Sequence, residues 1–584
     1  MSVKRAKKAV VIGAIVTSSA LSMSFVEDYY FEVSKNLDIF TTLFRDVNTY
    51  YVDSVQPGDL MKKGIDAMLG SLDPYTVFIP ESDIEDYRMT HVSSEYGGIG
   101  ALVHQRNGAI EISEVYEGFP AHKANLKPGD RIISVNGNTA TGRKVDDVTN
   151  FMKGQKGTTV RLMIQREGVL QPFEVAIVRD EIKFKNVPYY GMLDNSTGYI
   201  KLTQFLEHAA EDVRQAFVSL KQNPGMKNLV LDLRGNGGGL LREAVDIVNL
   251  FVDKGQKVVS QRGKVKEMNM EYFATKTAVD TEIPIVVLVD RGSASASEIV
   301  SGAIQELDRG VVIGQRTFGK GLVQQTYNLS YNTLLKVTIA KYYTPSGRCI
   351  QALDYTHKTS DGLVTKVPDS LINEFKTKNN RSVFDGSGIF PDIYTEPKFY
   401  SSITIALLRN FHIFDYANKF ERENKSIASA KDFLLTEAEY ERFISYLSDK
   451  EYEYKDKSES ELEEFKKMAA KEKRLDKLSA EFSALEKKYS EHKKQDLRNM
   501  HDEIKEILEA EISKRYYFQK GRIETAFRND REIKKAKEIF SNASMYASIL
   551  RGDASYKVIG KPGSEAQLKA TSDLEVLTED MELE

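Results

Sequence analysis

Residues 283–307 read IPIVVLVDRGSASASEIVSGAIQEL, and this stretch decides the fold. Ile285 to Val289 form an unbroken apolar, mostly β-branched run, the mark of a strand buried on both faces. Asp290 and Gly292 end it, a turn of small residues follows, and a helix begins near Ser295 to Ser297. Residues 228–251, NLVLDLRGNGGGLLREAVDIVNLF, repeat the plan of strand, Gly-rich loop and helix. VVIGQ (311–315) and TLLKVTIAKYYTP (333–345) are further strands. Strands alternating with helices predict an α/β core over 186–398 with a mostly parallel sheet. Within it, residues 357–385 read as a polar insertion.

The chain is a multidomain α/β (α+β) protein of 584 residues, a length that fits three to five domains. Residues 26–92 carry apolar positions at helical spacing and form an N-terminal helical domain. Residues 95–182 change to short apolar runs broken by Gly, Asn and Pro, in the order strand, strand, short helix, strand, helix, strand, strand. Residues 399–550 are charged and helix-favouring. Leu475, Leu478, Phe482, Leu485 and Tyr489 step by threes and fours, as do Leu497, Met500, Ile504 and Ile507. That pattern fits a coiled-coil-like seam and equally a long hairpin packed on the body. Residues 551–584 read as a disordered tail.

The N-terminus has a basic run (Lys4, Arg5, Lys7, Lys8), an apolar stretch and then Glu27 and Asp28. This layout predicts that 1–25 is a signal peptide or an N-terminal anchor. The protein is therefore expected to be exported, periplasmic, and either soluble or held at the membrane. The formal net charge of −4 leaves no basic footprint, so nucleic acid is not an expected partner. Cys349 is the single cysteine, which excludes an internal disulfide and Cys-based metal sites.

Gly314, Gly319 and Lys320 match the start of a phosphate loop, G-x-x-x-x-G-K. The context fails. Gly321 replaces the metal-binding Ser or Thr, and LVQQTYNLS (322–330) reads as a strand where a helix is needed. Lys320 has another use. A Ser at a strand-to-helix turn sits exposed near the positive end of the helix. N-capping alone also explains a Ser there. A nucleophilic Ser needs a base; no His lies near either motif, His208 and His357 being the closest along the chain, so a His would have to approach in space and Lys320 is the simpler candidate. A Lys can serve when partial burial disfavours its charged form. The glycines of GNGGG (235–239) can aim backbone N–H groups at an oxyanion, each such donor contributing about 3–4 kcal/mol in the transition state.

GSASASE (292–298), TFGKGLVQ (317–324) and LDLRGNGG (231–238) together resemble the carboxy-terminal processing peptidases, or tail-specific proteases. SLDPYTVFIP (71–80), YYTPSGRCIQ (342–351) and GSGIFPDI (386–393) resemble further signatures of that family, with Cys349 where Ser is common. The resemblance implies a Ser-Lys serine endopeptidase. In the family the base follows the nucleophile by 25 residues and a Gln follows the base by four, which selects Ser295, Lys320 and Gln324. It further implies an oxyanion hole from Ala296 N–H and a glycine N–H, Gly238 or else Gly237. No metal and no cofactor is called for.

YGGIGALV (96–103) and LKPGDRIISVNG (126–137) resemble the carboxylate-binding loop and central turn of a PDZ domain. Gly97, Gly98, Ile99 and Gly100 would then form a nest for a peptide carboxylate beside an open strand edge. The implied partners are protein or peptide substrates with exposed C-terminal tails, a second copy of the chain in a dimer, and adaptor proteins. The competing expectation is a non-catalytic secreted PDZ scaffold.

Overall fold

The computed structural model describes residues 30–84, 87–88, 95–358 and 363–553. The expected signal or anchor at 1–25 and nearly all of the expected tail at 551–584 lie outside these. Among the described residues, no helix is long and apolar enough to cross a membrane. The chain divides into two compact units, residues 1–78 with 326–337, and residues 79–325 with 338–584.

The first unit is helical where the sequence predicts it. One helix covers 30–50. A second, Pro57–Gly70, starts with proline at its first position, where the missing N–H costs nothing. Asp73 Oδ1 then accepts the N–H groups of Tyr75 and Thr76 at 2.8 Å, shaping the turn of SLDPYTVFIP.

The second unit is built on a six-stranded sheet. Its strands are, in spatial order, Tyr189–Met192, Thr197–Lys201, Asn228–Asp232, Ile285–Val289, Val311–Gly314 and Ile393–Tyr394. The first pair is antiparallel and all others are parallel. Every residue of Ile285–Val289 is fully buried, which is why that run is apolar without alternation. Successive side chains nonetheless serve two different cores. Ile285, Val287 and Val289 pack with helices Ala209–Lys221, Leu241–Asn249 and Ala296–Glu306. Val286 and Leu288 face Ile533, Ala536, Ile539 and Ile549 on helices Arg531–Ser541 and Ala543–Arg551. The far C-terminal helices therefore complete the sheet's second face.

The small domain has the predicted element order. Strands Ala101–Arg106, Ala109–Val115, Arg131–Val135, Thr159–Gln165 and Phe173–Val178 pair in sequence, with helices Pro120–Lys123 and Val145–Met152. Its outer face is clamped by the helical region. Arg106 donates two 2.8 Å bonds to Asp415, and His104 stacks on Phe411 with ring centres 4.5 Å apart. Lys127 pairs with Glu421 and Lys514 with Glu114, each at 2.6 Å. Beside that contact, helix His501–Ala526 breaks at Phe518 (φ 53°, ψ −145°), whose ring meets His122.

Two expectations for the outer regions are refined. The periodic segments after residue 400 make no continuous seam. Leu497 and Ile504 turn into a globular helical core with Leu407, Tyr416 and Phe443. Phe482 packs on Phe465 in a helical hairpin, Lys457–Lys471 against Leu475–Lys493. The stretch 357–385 is also more than a polar excursion. Arg381 is fully buried and bonds Asp308, Asp392 and the Gln305 carbonyl.

Candidate active site

Helix Ala296–Glu306 starts where strand Ile285–Val289 and its turn deliver the chain. Ser295 sits at that junction with φ 56° and ψ −111°, a backbone region a residue with a Cβ seldom occupies. Such a conformation costs on the order of 1–3 kcal/mol and persists only where surroundings enforce it. Its neighbours Ser293 and Ser297 are buried, and their hydroxyls donate to the carbonyls of Leu233 and Asn236 at 2.8 Å. Ser295 is half-buried, so of the three serines it is the one that is not fully enclosed.

The enforcing group is Glu298. It is fully buried, and each of its oxygens accepts two bonds. Oε2 takes the N–H of Ser295 (2.8 Å) and of Lys320 (2.9 Å). Oε1 takes the N–H of Gly319 (2.7 Å) and the Thr317 hydroxyl. One carboxylate thereby ties the serine turn to the lysine loop. Burial pushes the carboxyl above its usual range, and the bonds from Thr317 and the three N–H groups oppose that shift. The S-x-x-E spacing of Ser295 and Glu298 signals a capping box in sequence. Its reach to residues 319 and 320 is tertiary and leaves no such signal. Glu298→Gln keeps the volume but turns an amide NH₂ toward existing donors. It is expected to destabilise the site by about 1–3 kcal/mol and to lower kcat; steady-state cleavage and a melting curve read both.

The same carboxylate settles the phosphate-loop question. The amides a phosphate would need are taken by Glu298, and strand Leu322–Asn328 follows Gly321. Lys320 is half-buried. Gln324, on that strand, donates its side-chain amide to Thr338 Oγ1 at 3.1 Å.

The Gly-rich loop comes up against the serine turn. A Cβ on Gly238 (φ +101°) would lie 2.7 Å from the Ala294 oxygen and 2.9 Å from both Ala296 N and Ser295 Cβ, so only glycine fits there. Asn236 rivets the two segments. Its carbonyl accepts Ala294 N–H (3.0 Å) and Ser297 Oγ (2.8 Å), and its side chain bonds Leu202 and Gly238 N–H. The Gly238 N–H is thus engaged by Asn236 Oδ1 at 2.9 Å, whereas a side chain at Gly237 would meet open space. Behind the loop, buried Asp232 pairs with Lys201 and Arg234, and Arg234 reaches Asp530 and Glu532. Asn236 and Glu298 are site residues that sequence reasoning did not single out.

Three family models match the chain. Residues 196–359 match the model of peptidase family S41, residues 90–165 the PDZ domain, and residues 403–540 the "Probable PDZ-protease, C-terminal helical domain". The "Carboxy-terminal-processing protease" of Bartonella bacilliformis is 38% identical over 55% of this chain and 74% of its own length. This chain belongs to the carboxy-terminal processing protease family. The "Carboxy-terminal processing protease CtpA" of Bacillus subtilis is 36% identical over 53% of this chain and 65% of its own. A solved structure, "Photosystem II D1 C-terminal processing protease", matches at 26% identity over 61% of this chain and 86% of that one, with a TM-score of 0.34.

In the PDZ domain of this serine protease, Gly97 and Gly98 lie on strand Glu95–Gly98, paired with Asp180–Lys183. A Cβ on Gly97 would fall 2.0 Å from the Gly154 oxygen, so close packing alone demands glycine there. Ile99 is buried and its carbonyl accepts Ala121 N–H at 2.7 Å; Gly100 has φ +74°. Among the described residues, strand Ala101–Arg106 pairs within its sheet on one side only.

Proposed function

We propose that the chain is an exported endopeptidase that cleaves proteins bearing exposed C-terminal tails by a Ser-Lys mechanism. The observation that carries this reading is the Glu298 carboxylate, which holds the N–H of Ser295 and of Lys320 at once. Ser295 Oγ attacks the substrate carbonyl carbon. Neutral Lys320 takes the hydroxyl proton and passes it to the leaving amine. Gln324 orients Lys320. Ala296 N–H receives the oxyanion, together with Gly237 N–H or with Gly238 N–H once it is released from Asn236 Oδ1. Water then attacks the acyl-enzyme, and Lys320 acts as base a second time.

The PDZ domain takes the substrate tail along the open edge of strand Ala101–Arg106, with the carboxylate near Gly98 to Gly100. Exposed Phe31, Leu37, Phe40 and Leu43 on the first helix favour a dimer, and an adaptor protein is a further partner. A fluorophosphonate probe tests the chemistry. One adduct is expected, on the peptide containing Ser295, and it is to disappear in Ser295→Ala. Absence of labelling, or an adduct on Ser293 or Ser297, would overturn the assignment.

A further inference from the structure

The peptide linking Ser295 to Ala296 carries two groups of the site. Its C=O belongs to Ser295, and its N–H belongs to Ala296. A trans peptide is a rigid plane in which N–H and C=O point in opposite directions, and the described residues contain no cis bond. Fixing the carbonyl therefore fixes the aim of the N–H. As the first helical residue, Ala296 has an N–H with no acceptor inside its helix.

Three donors converge on the Ser295 carbonyl. Two come from the helix it caps, Glu298 N–H at 2.8 Å and Ile299 N–H at 3.0 Å. The third comes from a different element. Tyr342, on strand Leu334–Tyr343, donates its hydroxyl at 3.1 Å. The two helical donors tie the carbonyl to its own helix, at a residue whose φ of 56° and ψ of −111° are not helical. The Tyr342 hydroxyl adds a tie to a different element, so the plane is also fixed relative to the neighbouring strand.

Tyr342 is itself immobile. Its side chain is 1% exposed, and its backbone N–H donates to the Gly321 carbonyl at 2.9 Å. Gly321 follows Lys320 directly, and its own N–H is held by Gln351 Oε1 at 2.8 Å. Its strand is paired with Ser260–Gly263. One residue is thus bonded through its backbone to the lysine loop and through its side chain to the serine peptide.

We propose that Tyr342 is a positioning residue that pins the Ser295–Ala296 peptide plane and so aims the Ala296 N–H at the developing oxyanion. This inference rests on the Ser-Lys reading above. The plain alternative is that a buried tyrosine hydroxyl simply needs an acceptor. The two differ in outcome, because the Ser295 carbonyl keeps two donors when the hydroxyl is removed. Nothing buried is left unpaired in Tyr342→Phe, and the ring still fills its space.

The test compares full-length parent, Tyr342→Phe and Ser295→Ala on an unfolded protein substrate and with a peptidyl boronic acid as transition-state analogue. In Tyr342→Phe, kcat is expected to fall roughly tenfold, a fraction of the effect of deleting an oxyanion donor. Analogue affinity should fall by the same factor, with KM within twofold and the melting temperature unchanged. A kcat and an analogue affinity both within twofold of the parent would overturn the inference. So would loss of folded protein, since the hydroxyl would then serve the fold. Ser295→Ala separates the two failures. If it still turns over, the Ser-Lys reading fails; if it is inactive while Tyr342→Phe is unimpaired, only the present inference fails.

Discussion

Lys320→Ala is expected to lower turnover on the order of 10⁴-fold or more, and Ser295→Ala to do the same. In the proposed mechanism Ser295 and Lys320 act as one unit, so the double variant should lose no more than either single one. Lys320→Arg is the sharper test. It keeps length and charge, but a guanidinium does not give up its proton in a protein. If Lys320 served only to attract or orient the substrate, arginine would retain much of the activity. If it takes the Ser295 proton, arginine is as damaging as alanine. The fold should tolerate these changes, because Glu298 holds the backbone N–H of Lys320 and so keeps the loop in place when the side chain changes. Steady-state cleavage of an unfolded substrate and the rate of fluorophosphonate labelling should fall together, with melting curves unchanged. Parent-like turnover in Lys320→Arg would remove the general base from the mechanism.

How much of this site is legible in the sequence depends on the kind of contact. Ser295 and Lys320 can be singled out because a buried strand and a small-residue turn appear in linear order and the resemblance to the family supplies the spacing between them. The PDZ element order is legible for the same reason: each short strand ends at a turn residue. Contacts between distant segments leave no such trace. Asn236 reads as one residue of a glycine loop, yet its carbonyl joins that loop to the serine turn. Tyr342 reads only as part of the strand in 333–345, and nothing in its neighbours points to the Ser295 carbonyl.

Helical periodicity carries a related ambiguity. It specifies an apolar face and not the partner, so Phe482 and Ile504 fit a seam between chains as well as the hairpin and helical core they occupy. Helix Arg531–Ser541 shows the opposite case. It lies in a region that reads only as charged and helix-favouring, while Ile533, Ala536 and Ile539 close the second face of the sheet.

Charged residues mislead most where they are buried in pairs, and there the second large effect is expected. Helix Ala296–Glu306 begins beside Ser295 and ends on Glu306, an acid at the helix end where negative charge is disfavoured. Arg348 compensates. Both side chains are buried, Arg348 Nε donates to Glu306 Oε1, and Ser346 N–H donates to Oε2 at 2.7 Å. Arg348 also bonds Gln305 Oε1 and the Phe384 carbonyl at 2.9 Å, which fixes the TPSGRC turn against the helix. Removing one partner of such a pair leaves an uncompensated buried charge, whereas replacing both with apolar groups is far milder. Glu306→Ala is therefore expected to destabilise the protease by about 3–5 kcal/mol, and Glu306→Leu combined with Arg348→Met to recover most of that. Hydrogen exchange at the amides of residues 299–306 reads the effect locally, where a global melting curve would mix several domains. Loss of protection there should bring loss of turnover, because the same helix carries Ser295 at its other end. A Glu306→Ala protein with parent-like protection would show that the pair contributes nothing to holding the helix that carries Ser295.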